Sequence, residues 1–145
     1  MEKVLTRNIG ENPVPTNIAA YEANGGYQGL KKAMDSMSNS DCLQVISDSN
    51  LRGRGGAGFP TGMKWSCVPM GEKCTPGHKY LICNADEMEP GTFKDRHYLE
   101  LDPHRFLEGM LIAALCVGCD EIYIYLRDEY AGCREILTKE IASLQ

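Results

Sequence analysis

Two stretches of this 145-residue chain combine residue types at spacings that can do chemistry. The first is Leu51-Arg52-Gly53-Arg54-Gly55-Gly56-Ala57-Gly58-Phe59-Pro60-Thr61-Gly62-Met63-Lys64-Trp65, with five glycines within ten residues. Glycine admits positive φ and lets a ligand approach the backbone with no Cβ in the way. Successive backbone N–H groups can then form an anion-binding nest. Arg52, Arg54 and Lys64 add positive charge, and the combination suits phosphates. The glycine–lysine spacing of a P-loop is absent. So is a standard Rossmann fingerprint, because no obvious strand precedes the loop. Composition alone also allows a flexible linker, although Phe59, Pro60 and Trp65 are bulkier than solvated linkers normally carry.

The second stretch is Asn84-Ala85-Asp86-Glu87-Met88-Glu89-Pro90-Gly91-Thr92-Phe93-Lys94-Asp95-Arg96. It follows a short apolar run, Tyr80–Cys83, that reads as a buried strand. In open α/β sheets, ligands bind beyond the carboxyl ends of strands. Asn84, Asp86, Glu87 and Glu89 there are hydrogen-bond acceptors for a ribose or a flavin side chain. They could equally cap the helix that follows, or hold a divalent cation beside phosphates supplied by the glycine loop.

The elements that must position these loops are partly legible. Residues 1–24 lack a clear period and carry Pro13 and Pro15, which predicts an extended arm. After Gly25-Gly26, Tyr27, Leu30, Ala33, Met34 and Met37 recur at threes and fours and predict a helix. Ser40 is the expected cap of a second short helix bearing Leu43, Val45 and Ile46. A short helix is expected over Lys64–Val68, then a polar turn through Gly71, Pro76 and Gly77. Asp102-Pro103 is a helix start, an Asp cap followed by Pro at the first helical position. That helix carries Phe106, Leu107, Met110, Leu111, Ala114 and Leu115 and stops at Gly118. Glu121–Leu126 reads as a second strand. A last helix from about Glu129 has Cys133, Leu137, Ile141 and Leu144 on its inner face. Strand, helix, strand, helix favours parallel pairing. Two strands are few for a sheet, and the helical pattern reaches Gln145 with no stop signal. The expectation is the first part of a longer α/β domain.

Composition narrows the function classes. The chain is 43% hydrophobic and 24% charged with a net charge of −5, the balance of an ordinary globular protein. An acidic balance argues against nucleic-acid binding. The longest apolar run, Met110–Val117, is about two helical turns, too short to insert in a membrane. The start, Met1-Glu2-Lys3-Val4, lacks the regions of a secretory signal. A cytoplasmic protein is expected, at most peripheral on the inner face of a membrane complex. Seven cysteines, an odd number, do not make a disulfide framework in that compartment. Cys116 and Cys119 have C-x-x-C spacing with no second pair to complete a metal site. They are either buried helix cysteines or a thioredoxin-like redox pair. The latter normally opens a helix, whereas these close one.

In their order and separations, Leu51–Trp65, Asn84–Arg96 and Tyr123–Tyr130 (Tyr-Ile-Tyr-Leu-Arg-Asp-Glu-Tyr) closely resemble the NADH-binding flavoprotein subunit of respiratory complex I. The same module occurs in NAD-linked formate dehydrogenases and in NAD-reducing and electron-bifurcating hydrogenases. The resemblance runs from about Tyr21 to the end. It implies an α/β fold: a partial Rossmann-like FMN- and NADH-binding domain with parallel strands and flanking helices. It implies FMN and NAD(H) as cofactors, with hydride transfer by the flavin and no catalytic side chain or metal ligand in these residues. By motif, Gly53, Arg54, Gly55, Gly56 and Lys64 would lie along FMN. Asn84 and Asp86 would bond its ribityl chain or ring edge, Glu87 and Glu89 would border the nicotinamide pocket, and Phe59 would stack on adenine.

The resemblance divides the chain into an arm over 1–24 and the N-terminal part of the flavin domain over 25–145. Its implied partners are other subunits of a multisubunit redox complex, including an iron–sulfur subunit, with any cluster outside these residues. Two departures are visible. Cys67 stands where relatives often carry a second aromatic, and the second FMN-binding segment with its Gly-Glu-Glu motif is absent. The competing expectation is a truncated, non-catalytic scaffold that packs within such a complex.

Overall fold

The computed structural model describes residues 4–11, 13–70 and 77–144. Seven helices and two strands are found among them: α1 (Ile18–Ala23), α2 (Gln28–Ser36), α3 (Asn39–Asp48), α4 (Thr61–Ser66), β1 (Tyr80–Ala85), α5 (Lys94–Leu101), α6 (Pro103–Val117), β2 (Glu121–Leu126) and α7 (Ala131–Ala142). The two strands pair in parallel as neighbours in one sheet. The expected α/β class with flanking helices is what forms.

Local chemistry explains most of the boundaries. α6 starts at Pro103 as the sequence predicts, but the Asp102 carboxylate accepts from Asn8 Nδ2 at 2.9 Å, with its other oxygen unpartnered among the described residues, rather than capping the helix. Gly118, at φ 65°, ends it: Cys119 N–H reaches back to the Ala114 carbonyl at 2.9 Å, and Lys79 Nζ donates to the Val117 carbonyl at 3.1 Å. β2 has the expected bounds. The cap of α3 is Ser38 rather than Ser40. It forms a reciprocal capping box with Asp41, which bonds the Ser38 N–H at 2.9 Å. The short helix α4 starts at Thr61, three residues before the expected Lys64. Within the segment expected to be an extended arm, Asn17 caps α1 by accepting from Ala20 N–H at 2.9 Å, and Tyr21 is buried. The expected turn through Gly71 and Pro76 lies outside the described residues.

The chain divides into two compact units. The first comprises Met1–Gln28, Ile82–Met110 and Tyr123–Gln145. Its core is Ala85, Leu99, Leu107, Cys133 and Leu137, with Phe106, Met110, Ile124, Leu126 and Tyr130 packed around it. Burying a side chain such as Leu107 contributes about 2 kcal/mol. On α7, Cys133 and Leu137 face inward as expected, but Ile141, and Leu144 just beyond the helix, are over a third exposed. Glu140 is buried in this unit instead. β1, expected as a buried strand ending at Cys83, runs on to Ala85 with alternating exposure, and Ile82 is 66% exposed. On β2, Tyr123 and Tyr125 are likewise exposed.

The second unit comprises Gly29–Leu81 and Leu111–Ile122. Its core is Ala33, Cys42, Cys116 and Val117, joined by Met37, Trp65, Val68, Ile112, Leu115 and Cys119. The two C-x-x-C residues are therefore packing residues at the C-terminal end of α6. Burial, with Cys42 alongside, pushes the Cys116 thiol up to about 12, and burial also raises Cys119. A redox pair needs the opposite shift. Met34 and Val45, expected on apolar helix faces, are exposed. No described helix is long and apolar enough to cross a membrane.

Candidate functional site

The glycine-rich loop belongs to the second unit. Arg52 and Pro60 form an antiparallel bridge at its neck. Gly53 N–H donates to the Phe59 carbonyl and Thr61 N–H to the Leu51 carbonyl, both at 2.9 Å. The Arg52 guanidinium donates to the Gly58 carbonyl at 3.2 Å. The loop is thus closed on itself and held at both ends, which a flexible linker is not. Gly56 and Gly58 sit at φ 116° and 62°, where a side chain is strained. A Cβ built on Gly55, Gly56 or Gly58 meets nothing within 4 Å. The glycines therefore face open space rather than a packed neighbour.

Behind the loop, α4 fixes its position. At Gly62, an added Cβ would lie 2.7 Å from the Ser47 Cα, so only glycine lets α4 approach α3 this closely. α4 carries Lys64 and Trp65 to the loop. Gly53, Gly55, Ala57, Gly58, Phe59, Thr61, Lys64 and Trp65 line one cleft of about 280 Å³. The structure thus brings together four of the residues singled out in the sequence: Gly53, Gly55, Phe59 and Lys64. Arg54 and Gly56 are exposed on the same loop without lining that cleft.

The acidic stretch belongs to the first unit. Asn84 is the penultimate residue of β1, and its Oδ1 accepts from Asp86 N–H at 3.1 Å. Asp86 carries a buried Oδ1 with no protein partner. Such an orphaned acceptor is costly unless a ligand or water satisfies it. Glu89 is exposed and lines a second cleft of about 470 Å³, with Gly91, Phe93, Arg96, Arg127, Glu129 and Tyr130 among the other walls.

Glu87 has a different setting. It is 2% exposed, and its carboxylate caps α5, accepting from the backbone amides of Lys94, Asp95 and Arg96 at 3.1, 2.8 and 3.2 Å. The Tyr130 hydroxyl donates to the same group at 3.2 Å. Burial pushes its pKa up. The amides of Asp95 and Arg96, the Tyr130 hydroxyl and the Lys94 charge outweigh that and hold it below the usual carboxylate range. The capping alternative left open by the sequence is thus realised at Glu87.

Three residues at the second cleft escape the sequence reading of the site: Arg96, Arg127 and Tyr130. Arg127 donates to the Glu87 carbonyl and pairs with Glu129 at 2.8 and 3.0 Å. The Arg96 and Arg127 guanidinium groups lie 5.6 and 5.4 Å from the Tyr130 ring centroid, at cation–π range. The signal for them is the Tyr123–Tyr130 motif, whose polar end falls just beyond β2. No group of three or more His, Cys, Asp or Glu able to hold a metal is found among the described residues.

Comparisons with known proteins point one way. Residues 46–145 match the family described as the Nuo51 FMN-binding domain. The chain is 48% identical over 97% of its length to an F-type subunit of the NADH-quinone oxidoreductase of Rhizobium meliloti, and spans 32% of that protein. It is 43% identical over 95% of its length to the corresponding NADH-quinone oxidoreductase protein of Escherichia coli, spanning 31% of it. Among solved structures, an NAD+-reducing NiFe hydrogenase in the H2-reduced state aligns with 99% of this chain and 22% of its own. Its TM-score is 0.73 at 35% identity. The chain thus spans about a third of the length of these curated relatives.

Proposed function

Because this chain belongs to the Nuo51 FMN-binding domain family, we propose that it forms the FMN- and NAD(H)-binding part of an oxidoreductase subunit. On this reading it works within a multisubunit redox complex that includes iron–sulfur partners. A cytoplasmic location, at most peripheral to a membrane, goes with it. The observation that carries the proposal is the glycine cradle. Gly55 and Gly58 leave open the space a Cβ would fill in the cleft that Lys64 also lines, and Gly56 leaves it open on the same loop. A flat, phosphorylated cofactor fits such a wall, and the orphaned Asp86 oxygen is an acceptor suited to a ribityl hydroxyl.

FMN held by these residues would supply the hydride-accepting and single-electron chemistry that links NADH to iron–sulfur clusters outside them. The chain's own groups bind and orient. Gly53, Arg54, Gly55, Gly56 and Lys64 hold the flavin and its phosphate through backbone amides and positive charge. Asn84 and Asp86 accept hydrogen bonds from it. Glu89 borders the nicotinamide, and Phe59, 48% exposed, offers a ring for adenine to stack on. Glu87 acts from beneath by ordering the start of α5.

The test is to purify the complex that contains this chain and record its visible spectrum, flavin content and NADH:ferricyanide activity. A yellow complex that oxidises NADH is the expected result. A colourless complex without that activity overturns the proposal in favour of a scaffold.

A further inference from the structure

We infer that Arg127 and Tyr130 are positioning residues for nucleotide binding: they grip Glu87 from the loop after β2 and thereby set the acidic loop after β1. The inference rests on the proposed function, because that reading places Glu89 of the acidic loop beside NAD(H).

The geometry is a clamp on one residue. The Glu87 carboxylate is held by three backbone amides of α5 and by the Tyr130 hydroxyl. Its carbonyl is held by the Arg127 guanidinium. Lys94 Nζ, 3.9 Å away, supplies a cation. Thus the side chain and the main chain of Glu87 are both held, each by its own partners. The grip is itself rigid. Arg127 is held in a two-point pair with Glu129 and lies over the Tyr130 ring. Arg96 lies over the same ring.

The loop so fixed is the one that matters to the second cleft. Glu89, Gly91 and Thr92 form one wall of it, and Arg127 and Tyr130 form another. Thr92 N–H donates to the Glu89 carbonyl at 3.1 Å, so Glu89 sits in a tight turn only two residues from the clamp. A displacement of about 1 Å at a substrate-orienting group is enough to weaken binding or turnover markedly. Both loops leave the carboxyl ends of the two paired strands, where α/β sheets place their ligands.

The test uses the intact complex. Tyr130→Phe removes one hydroxyl and leaves the ring that Arg96 and Arg127 cover. It should raise the NADH KM about ten-fold, the size expected for one lost hydrogen bond to a charged group. FMN content should stay stoichiometric and kcat within about two-fold. Arg127→Ala should behave alike, with partial rescue in Arg127→Lys. Combining Tyr130→Phe with Glu87→Ala should add nothing to the Glu87→Ala effect, because the Tyr130 hydroxyl then has no carboxylate to hold. An unchanged KM in a flavin-replete Tyr130→Phe complex overturns the inference. So does additivity of the two substitutions, or flavin loss with nucleotide kinetics unaltered. A wild-type complex without flavin defeats the proposed function and this inference together, whereas a yellow, active wild type with an indifferent Tyr130→Phe defeats the inference alone.

Discussion

His104 Nε2 lies 2.8 Å from Glu140 Oε2, and both side chains are shut away from water in the first unit. The other ring nitrogen of His104 meets the Tyr27 hydroxyl at 2.8 Å. Burial, chiefly, and then the Glu108, Glu22 and Glu140 charges push that phenol up to about 12. Glu108 in turn accepts from the Tyr21 hydroxyl at 2.5 Å and from Tyr27 N–H at 3.0 Å. A continuous polar chain therefore links the segment after α1, the first turns of α6 and the end of α7.

Removing one end of that pair should cost far more than removing both. Glu140→Leu leaves a buried imidazole without its partner and should destabilise by about 3 kcal/mol. The double change of His104 and Glu140 to apolar residues should cost less. Denaturant midpoints of the purified parent protein measure both. Equal losses in single and double variants would show that the pair is not coupled.

The glycine cradle can be probed without disturbing the fold. Gly55 has ordinary φ and open space around it, so Gly55→Val should leave stability within about 0.5 kcal/mol while expelling flavin. Gly56→Val should expel flavin too, and its φ of 116° adds strain of about 1–2 kcal/mol. Stoichiometric FMN in either folded variant refutes the contact.

Glu89 is exposed on the wall of the second cleft. On the proposed function, Glu89→Gln alters a carboxylate that borders the nicotinamide. The NADH KM should rise by about two- to five-fold, the scale of one exposed charge, with flavin content unchanged. Loss of flavin at constant KM would move Glu89 to the other cofactor.

Acid should loosen the start of α5. The folded-state pKa of Glu87 is depressed below its ordinary 4.5, so its contribution is fully present above that value. It is lost as pH falls through the lower folded value. Glu87→Gln should therefore flatten the decline of melting temperature as pH falls below 4.5. A parallel decline in both proteins would remove Glu87 from the acid response.

Thiol reactivity should follow burial. Cys67 is exposed, whereas burial raises the thiols of Cys116 and Cys133 to about 12. Iodoacetamide near pH 8 should label Cys67 well before either, as read by peptide mass spectrometry. Early labelling of Cys116 would mean that the second core opens readily.

The parts legible in the sequence are those with local causes. Pro103 and Gly118 bound α6 through backbone conformations set within a few residues. β2 is announced by β-branched and aromatic residues, and the cradle by its glycines. α5 is hidden because its eight residues, Lys-Asp-Arg-His-Tyr-Leu-Glu-Leu, bury only Leu99 and show no apolar stripe. Its cap, Glu87, stands seven residues upstream of the first helical amide, outside any local capping pattern. Glu140 lies on the same face of α7 as Cys133 and Leu137 but reads as a surface charge, because its reason for burial, His104, is 36 residues away. The same holds for Arg127, whose bond to the Glu87 carbonyl spans 40 residues.

Trp65 is the chain's single tryptophan. It stands between two environments: it packs on the core of the second unit, and it lines the cleft behind the glycine loop. Flavins absorb where indole emits. The protein thus carries its own optical reporter beside the cradle: filling the cleft should dim the tryptophan emission, so that occupancy can be followed by titration with no label attached.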